Sequence, residues 1–373
     1  MSIAFVLSRK LTKRDYKRFN IDKFKKKRVC VYDFSSLLNH RSVFFQQTNL
    51  KLDNYRIFKS YKEFIHKIKK DDIKFAVDFL ENSFSDFIIR LILIKYNVKL
   101  IKFLVGLKPD IIYPKKKLKH NYLGIIKTKV VKNLKKIIIK KIISKIYWLI
   151  LITGKKFQNY ENLIHDKIKK IYAHSLDYDN YLLLKKKKIK QKYVIFIDQN
   201  IPYHQDLYIK KRKSIVIAEN YYNQLFNFFR FIEKNYKTKV IIAGHPKKGM
   251  KNPYLEKCNF KVRYYKTPEL IQMSKFVIMH FSTAVSYCVL FKKPVLFVTN
   301  NEINEKRSGH QIRTLGNVLG SKTINLSYRF KKLDLKTDLT KYERFKDYYL
   351  KYPNSEDMNS MQILEKFLLK KNN

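Results

Sequence analysis

Residues 240–248 read VIIAGHPKK and residues 260–299 read FKVRYYKTPELIQMSKFVIMHFSTAVSYCVLFKKPVLFVT. Together they decide the fold class. Val240–Ala243, Phe276–Met279 and Val295–Val298 are short apolar runs without charge, the pattern of strands covered on both faces of a parallel sheet. A helix is predicted between the last two runs. The order strand, loop, strand, helix, strand, helix, strand therefore fills Lys239–Thr299 with no filler, and it implies an α/β domain with a parallel sheet.

Polar residues punctuate the ends of these strands. Gly244-His245-Pro246 follows the first run, and His280-Phe281-Ser282-Thr283 follows the run ending at Met279. Ligands of open parallel sheets gather beyond the carboxyl ends of strands, where loops and helix N-termini converge. Ser282 and Thr283 would open a helix over Ala284–Phe291, whose backbone N–H groups and dipole favour a phosphate. Taken singly, Ser282 reads equally well as a helix N-cap and His245 as a buried, satisfied histidine. Their joint placement at the end of one sheet carries the ligand reading.

The run from His245-Pro246 to Pro294 resembles the nucleotide-sugar half of GT-B glycosyltransferases of bacterial surface polysaccharide. It looks most like the sialyltransferases and related capsule or lipooligosaccharide enzymes, which carry an HP motif and a downstream Ser/Thr motif at the nucleotide phosphate. Polyglycerol-phosphate transferases of teichoic-acid assembly are similar. The resemblance spans about residues 190–320, is looser over the first 110 and is absent in the middle. It implies two Rossmann-like domains facing a cleft, with Gly244, His245, Pro246, Glu269, His280, Ser282 and Thr283 at the donor nucleotide. A glutamate such as Glu269 would hold the ribose, although Thr267-Pro268-Glu269 also has the chemistry of a plain helix start.

With 373 residues the chain is long enough for two domains, each with its own core. Lys and Arg total 81 against 30 acids, a formal charge of +51, and such a field attracts nucleic acid, anionic lipid and anionic substrates alike. Part of it reflects a bias toward Lys, Ile, Asn, Tyr and Phe over Gly, Pro, Ala and Trp. Cys30, Cys258 and Cys288 show no CxxC or Cys/His spacing, which argues against a disulfide framework and a structural zinc site, and for a reducing cytoplasm. The N-terminal apolar segment precedes its charges and reads as a first strand rather than a signal peptide. No run reaches the ~18 apolar residues of a membrane span.

The first 114 residues are expected to form the acceptor-side domain. Strands are predicted at Ile3–Leu7, Val29–Tyr32, Ile73–Val77 and Val98–Val105, alternating with helices near Asp15–Lys25, Tyr61–Ile68 and Phe84–Ile94. The segment around Arg14 and Asp15 resembles a basic Arg-Asp segment that often follows the first strand in these transferases, which implies acceptor binding by Arg14 and a base at Asp15. Asp78 and Glu81 form a second acidic pair beyond a strand end. An inverting transfer needs one such group to deprotonate the acceptor hydroxyl, and Asp15, Asp78 and Asp198 all qualify.

Residues 115–192 change character. VVKNLKKIIIKKIISKIYWLILITGKK places Val130, Leu134, Ile137, Ile138, Ile142, Ile146, Leu149 and Ile150 at helical spacing with lysines between, and carries the one tryptophan, Trp148. A basic amphipathic helical insertion is predicted, suited to an anionic membrane surface through residues 128–153 and equally to packing on the first domain. Asp177-Tyr178-Asp179 has the form of a metal and diphosphate motif, but so short a motif recurs by chance and the surrounding pattern differs. Lys185–Lys192 reads as a linker.

Residues 193–340 are expected to form the nucleotide-sugar domain and 341–373 to supply C-terminal helices that cross back to the first domain. Asp198, Gln199 and His204 follow the strand Tyr193–Ile197, and Gln199 and His204 are assigned to acceptor binding. Arg307, His310 and Arg313 cluster beside Gly309, and guanidinium pairs suit a phosphate or a sugar carboxylate. The expected activity is an inverting, metal-independent glycosyl transfer from a nucleotide sugar, CMP-linked, to a glycan or lipid-linked acceptor at the inner face of the plasma membrane. It requires no cofactor and no metal, the nucleotide sugar being a substrate, and His245 is its central catalytic residue. A CDP-glycerol-type polyol-phosphate transferase is the near alternative. A basic nucleic-acid-binding protein or a membrane-surface scaffold would be the non-enzymatic ones; the 27 Tyr and 27 Phe fall on core-like periodicities rather than among the basic runs, which disfavours specific nucleic-acid recognition.

Overall fold

The computed structural model describes residues 2–24, 28–38, 52–81, 83–104, 109, 146–157, 168–185, 191–204, 207, 211–245, 252–331 and 333–370. The chain forms two compact units. The first holds the described residues of Met1–Leu107, Lys115–Asp179 and Lys351–Asn373; the second holds those of Asn180–Leu350 together with Pro109.

The first unit is built on seven strands: β1 Ser2–Leu7, β2 Arg28–Asp33, β3 Tyr55–Ile57, β4 Phe75–Phe79, β5 Lys99–Leu104, β6 Tyr147–Ile152 and β7 Lys169–Tyr172. Their order is β3-β2-β1-β4-β5-β6-β7, and every pairing is parallel. Period-two alternation along β1 divides the core. Ile3, Phe5 and Leu7 enter one apolar cluster, which includes Met361, Leu364 and Leu368 of the helix Ser360–Lys370. Ala4 and Val6 enter the other, with Phe64 and Ile68 of the helix Tyr61–Asp71 and Ile89 and Leu93 of the helix Phe84–Lys95. Both faces are thus covered by helices, as an all-parallel sheet requires.

The second unit is a six-stranded sheet of β8 Tyr193–Ile197, β9 Val240–Ala243, β10 Lys261–Arg263, β11 Ser274–Met279, β12 Val295–Thr299 and β13 Thr323–Asn325. The order is β10-β9-β8-β11-β12-β13, again all parallel. The helix Ala218–Tyr236 buries Tyr221, Tyr222, Leu225, Phe228, Phe229 and Ile232, so its aromatic stripe is core.

One expectation is overturned around Trp148. The predicted amphipathic helix does not extend through residues 147–152: these form β6, hydrogen-bonded between β5 and β7. Trp148 lies with its ring 5.1 Å from Phe75 and 6.3 Å from Phe367, and the Lys169 ammonium sits 4.8 Å from its centroid. Tyr147–Ile152 therefore offers no apolar face to a membrane. YWLILI is a continuous apolar run, which fits a doubly covered strand as well as a helix, and tertiary pairing decides between them. The rest of that predicted helix, residues 128–145, lies outside the described residues. Among the described residues no helix is long and apolar enough to cross a membrane.

Candidate functional site

The carboxyl ends of β8, β9 and β11 meet in the second unit. β8 delivers Asp198, Gln199 and Asn200. Asn200 takes a left-handed conformation (φ 50°) that turns the chain into the single 3-10 turn Ile201–Tyr203 and on to His204. β9 delivers Gly244 and His245 on the neighbouring strand. The His204 and His245 rings meet edge to face, centroids 5.1 Å apart. Two histidines 41 positions apart in sequence are thus neighbours.

Asp198 organises this turn rather than facing outward. The residue is 3% exposed; its carboxylate accepts the Asn200 N–H at 2.8 Å and the His245 N–H, while its own N–H donates to the Ala243 carbonyl at 3.0 Å. Burial pushes its pKa up to about 6 against the relief these donors give. Buried in this way, Asp198 cannot reach an acceptor hydroxyl, and its role is to hold the His245 loop. A Cβ at Gly244 would meet the half-buried ring of Tyr264, so a side chain there would need that ring to shift. Pro246 lies outside the described residues.

Gln199 ties β8 to β11. Its amide nitrogen donates to the Phe281 carbonyl and its amide oxygen accepts the Phe281 N–H at 2.7 Å, so both polar ends serve the backbone rather than an acceptor. His280 is likewise internal, at 1% exposure. Its Nδ1 donates to the Val298 carbonyl at 2.7 Å and its Nε2 accepts the Tyr221 hydroxyl at 2.8 Å. Burial lowers its pKa to about 4, so the ring is neutral. With both nitrogens engaged, His280 has nothing left for a nucleotide.

Ser282 Oγ accepts the Ala284 N–H at 3.2 Å, and the expected helix runs over Val285–Leu290, flanked by Ala284 as N-cap and Phe291 as C-cap. Thr283 is exposed and Ser282 half-buried. Glu269 is exposed in the first turn of the helix Thr267–Gln272, whose N-cap is Lys266 rather than Thr267. Arg307 is exposed at the start of the helix Arg307–Leu319. Arg313 donates to Asn304 Oδ1 at 2.7 Å and lies 3.2 Å from His310 Nδ1, so its fork is engaged beside the end of β12.

The first-unit candidates stand in other surroundings. Asp78 corrects the base assignment. It is 2% exposed, ion-paired with Arg90 at 2.8 Å, accepts the Tyr147 hydroxyl and takes the Leu80 N–H at 2.8 Å. Burial alone would raise its pKa, but Lys102 and Arg90 hold it below the usual carboxylate range, the opposite of what a general base needs. Asp15 accepts the Thr12 hydroxyl at 2.8 Å in the first turn of the helix Lys13–Arg18, which also contains Arg14. Asp177 and Asp179 lie on the helix Leu176–Leu184 rather than a loop. Asp177 faces Arg18 at 3.5 Å, whereas Asp179 is buried and accepts the Ser360 N–H at 2.7 Å, so the pair does not converge on a metal.

Residues not singled out from sequence complete the second-unit edge. Asn252 donates to Asn200 Oδ1 at 2.7 Å and to the Tyr222 hydroxyl at 2.5 Å, and its side-chain oxygen caps the Leu255 N–H. The Asn-Pro dipeptide at 252–253 was the available signal, since Asn before Pro favours turn initiation.

No protein-family description and no curated protein sequence matches the chain. Solved structures do. A UDP-GlcNAc 2-epimerase from Methanocaldococcus jannaschii, in complex with UDP-GlcNAc and UDP, aligns over 99% of this chain and 100% of its own at 11% identity, with a TM-score of 0.50. The wall teichoic acid polymerase TagF aligns over 100% of this chain and 88% of its own at 12% identity, with a TM-score of 0.54. The fold is GT-B. At such identities the likeness fixes architecture alone, and neither structure is a sialyltransferase. Within the GT-B fold, the edge that gathers His204, His245, Ser282 and Thr283 is the one where ligands of parallel sheets lie.

Proposed function

We propose that the chain is a nucleotide-sugar-dependent glycosyltransferase that moves a sugar from a nucleotide donor to a glycan or lipid-linked acceptor. The observation that carries this reading is the His204–His245 pair at the carboxyl edge of the second sheet. Departure of a nucleotide builds negative charge on its phosphate, and preorganised donors at that point lower the barrier. His245 supplies such a donor, presented on a loop that Asp198 holds, while Ser282 and Thr283 supply hydroxyls from the next strand but one. Acceptance of the acceptor proton falls to His204, since Asp198 beside it is buried. The fold supports this class through its likeness to a UDP-GlcNAc 2-epimerase and a wall teichoic acid polymerase.

A CMP-linked donor of the sialic-acid or Kdo type is the finer assignment, supported by the HP and Ser/Thr motifs. Thermal stabilisation of the purified protein by CMP, CDP, UDP and GDP tests it, because a ligand that binds only the folded state raises apparent stability. Stabilisation by CMP that disappears in His245→Ala supports donor and site together. Preference for UDP or GDP would change the donor, and transfer from CDP-glycerol would change the reaction to polyol-phosphate transfer. No response to any nucleotide would overturn the enzymatic reading.

A further inference from the structure

The helix Phe84–Lys95 carries more apolar residues than its sheet can cover. Ile89 and Leu93 are buried against the first-unit sheet beside Phe64 and Ile68. Away from that core, Phe84 is 77% exposed, Leu91 45% and Ile94 37%. At roughly 100° per residue, Leu91 lies about 20° and Ile94 about 80° around the helix from Phe84, so the three form one stripe ~15 Å long. The helix is firmly started, with a reciprocal Ser83–Asp86 capping box.

Basic residues flank this stripe. The helix Tyr61–Asp71 covers the same sheet face and exposes Lys62, Lys69 and Lys70, with Glu63 its one exposed acid. The Lys69 ammonium lies 5.9 Å from the Tyr96 ring, which brings the C-terminal ends of the two helices together. Lys95 is exposed on the line of the stripe itself.

We propose that this face docks on an anionic lipid bilayer, with Phe84, Leu91 and Ile94 entering the boundary between headgroups and acyl chains and the flanking lysines meeting headgroup phosphates. An apolar helix face bordered by lysines is the arrangement that binds such an interface. Charge complementarity selects the occupant. A second copy of a chain with net charge +51 would set like charge against like. Nucleic acid would satisfy the lysines and leave three large apolar side chains in water. This surface is independent of the catalytic reading.

Co-sedimentation of the full chain with vesicles of phosphatidylglycerol and phosphatidylcholine, against phosphatidylcholine alone, tests the assignment. Binding to the anionic vesicles is expected, at least about tenfold tighter than to the neutral ones. Phe84→Ser with Leu91→Gln leaves the net charge unchanged and removes two exposed apolar groups, so it should weaken that binding about tenfold while leaving the melting temperature in place. Lys69→Gln with Lys70→Gln should weaken it about tenfold and reduce its salt dependence. No binding by the parent protein overturns the proposal, as does undiminished binding by Phe84→Ser/Leu91→Gln, which would place the contact elsewhere. A lipid-free dimer that this double variant dissociates in sedimentation velocity would overturn it in favour of an interface between copies.

Discussion

The rings of His204 and His245 meet edge to face with centroids 5.1 Å apart, brought together by the adjacent strands β8 and β9. If His245 stabilises the departing phosphate, His245→Ala should lower turnover by roughly 100- to 1,000-fold, with an unchanged circular dichroism spectrum. His204→Ala should cost about 100-fold or more if His204 is the acceptor base. Steady-state kinetics on both variants decide the roles; normal turnover in His245→Ala would sink the assignment.

Asp78 and Arg90 make a structural pair, and their variants should say so. Removing one partner of a buried ion pair costs about 3–5 kcal/mol because the other charge is left uncompensated. Asp78→Ala should therefore unfold the first unit at lower urea. The sign follows from the depressed carboxylate pKa: its stabilisation is present above the unfolded value of 3.8 and is lost as pH falls through the lower folded value. A variant of normal stability with abolished turnover would restore Asp78 as a catalytic base.

Gly244→Ala would set a Cβ against the half-buried Tyr264 ring, which must shift to admit it. Because the ring is half-buried and can yield, the cost should fall at the low end of overpacking, about 1 kcal/mol. Tyr264→Ala in the same chain should recover most of that loss, which thermal melts of the two single variants and the double variant would read. Additive losses would show that the ring is not what excludes a side chain here.

Two buried groups in the second unit give opposite pH slopes. His280 is held neutral, its pKa lowered from 6.5 to about 4, so its stabilisation is full above about 6.5 and is lost as pH falls through about 4. Asp198 is raised from 3.8 to about 6, so its contribution is full below 3.8 and is lost as pH rises through about 6. Each amounts to roughly 3 kcal/mol, and the two offset each other between pH 4 and 6. Asp198→Asn should leave the His280 slope unopposed and steepen the loss of stability on acidification, measured by urea unfolding from pH 7 to 4. A profile parallel to that of the parent protein would refute the assignment.

The central strands were legible because β1, β8, β9, β11 and β12 are buried along nearly their whole length, and double burial demands the unbroken apolar runs that mark them. β3, β7 and β13 went unseen: Tyr-Arg-Ile, Lys-Lys-Ile-Tyr and Thr-Ile-Asn are short edge segments, and edge strands are kept short and charged. Location beyond a strand end was also readable for Asp198, Gln199, Gly244, His245 and Ser282. What each side chain does there was not readable, because Asp78, Asp198, Gln199 and His280 take partners from distant segments such as Tyr147, Phe281 and Tyr221.

The sequence by itself thus determined two parallel α/β sheets and the edge of the second sheet where polar residues collect, since hydrophobic periodicity is a local property of the chain. Only the tertiary structure decided that YWLILI is a strand, that Asp78 and His280 are spent on internal partners, and that His204 stands beside His245. Burial and hydrogen bonding depend on residues dozens of positions away, and a single linear pattern does not encode which of them arrive.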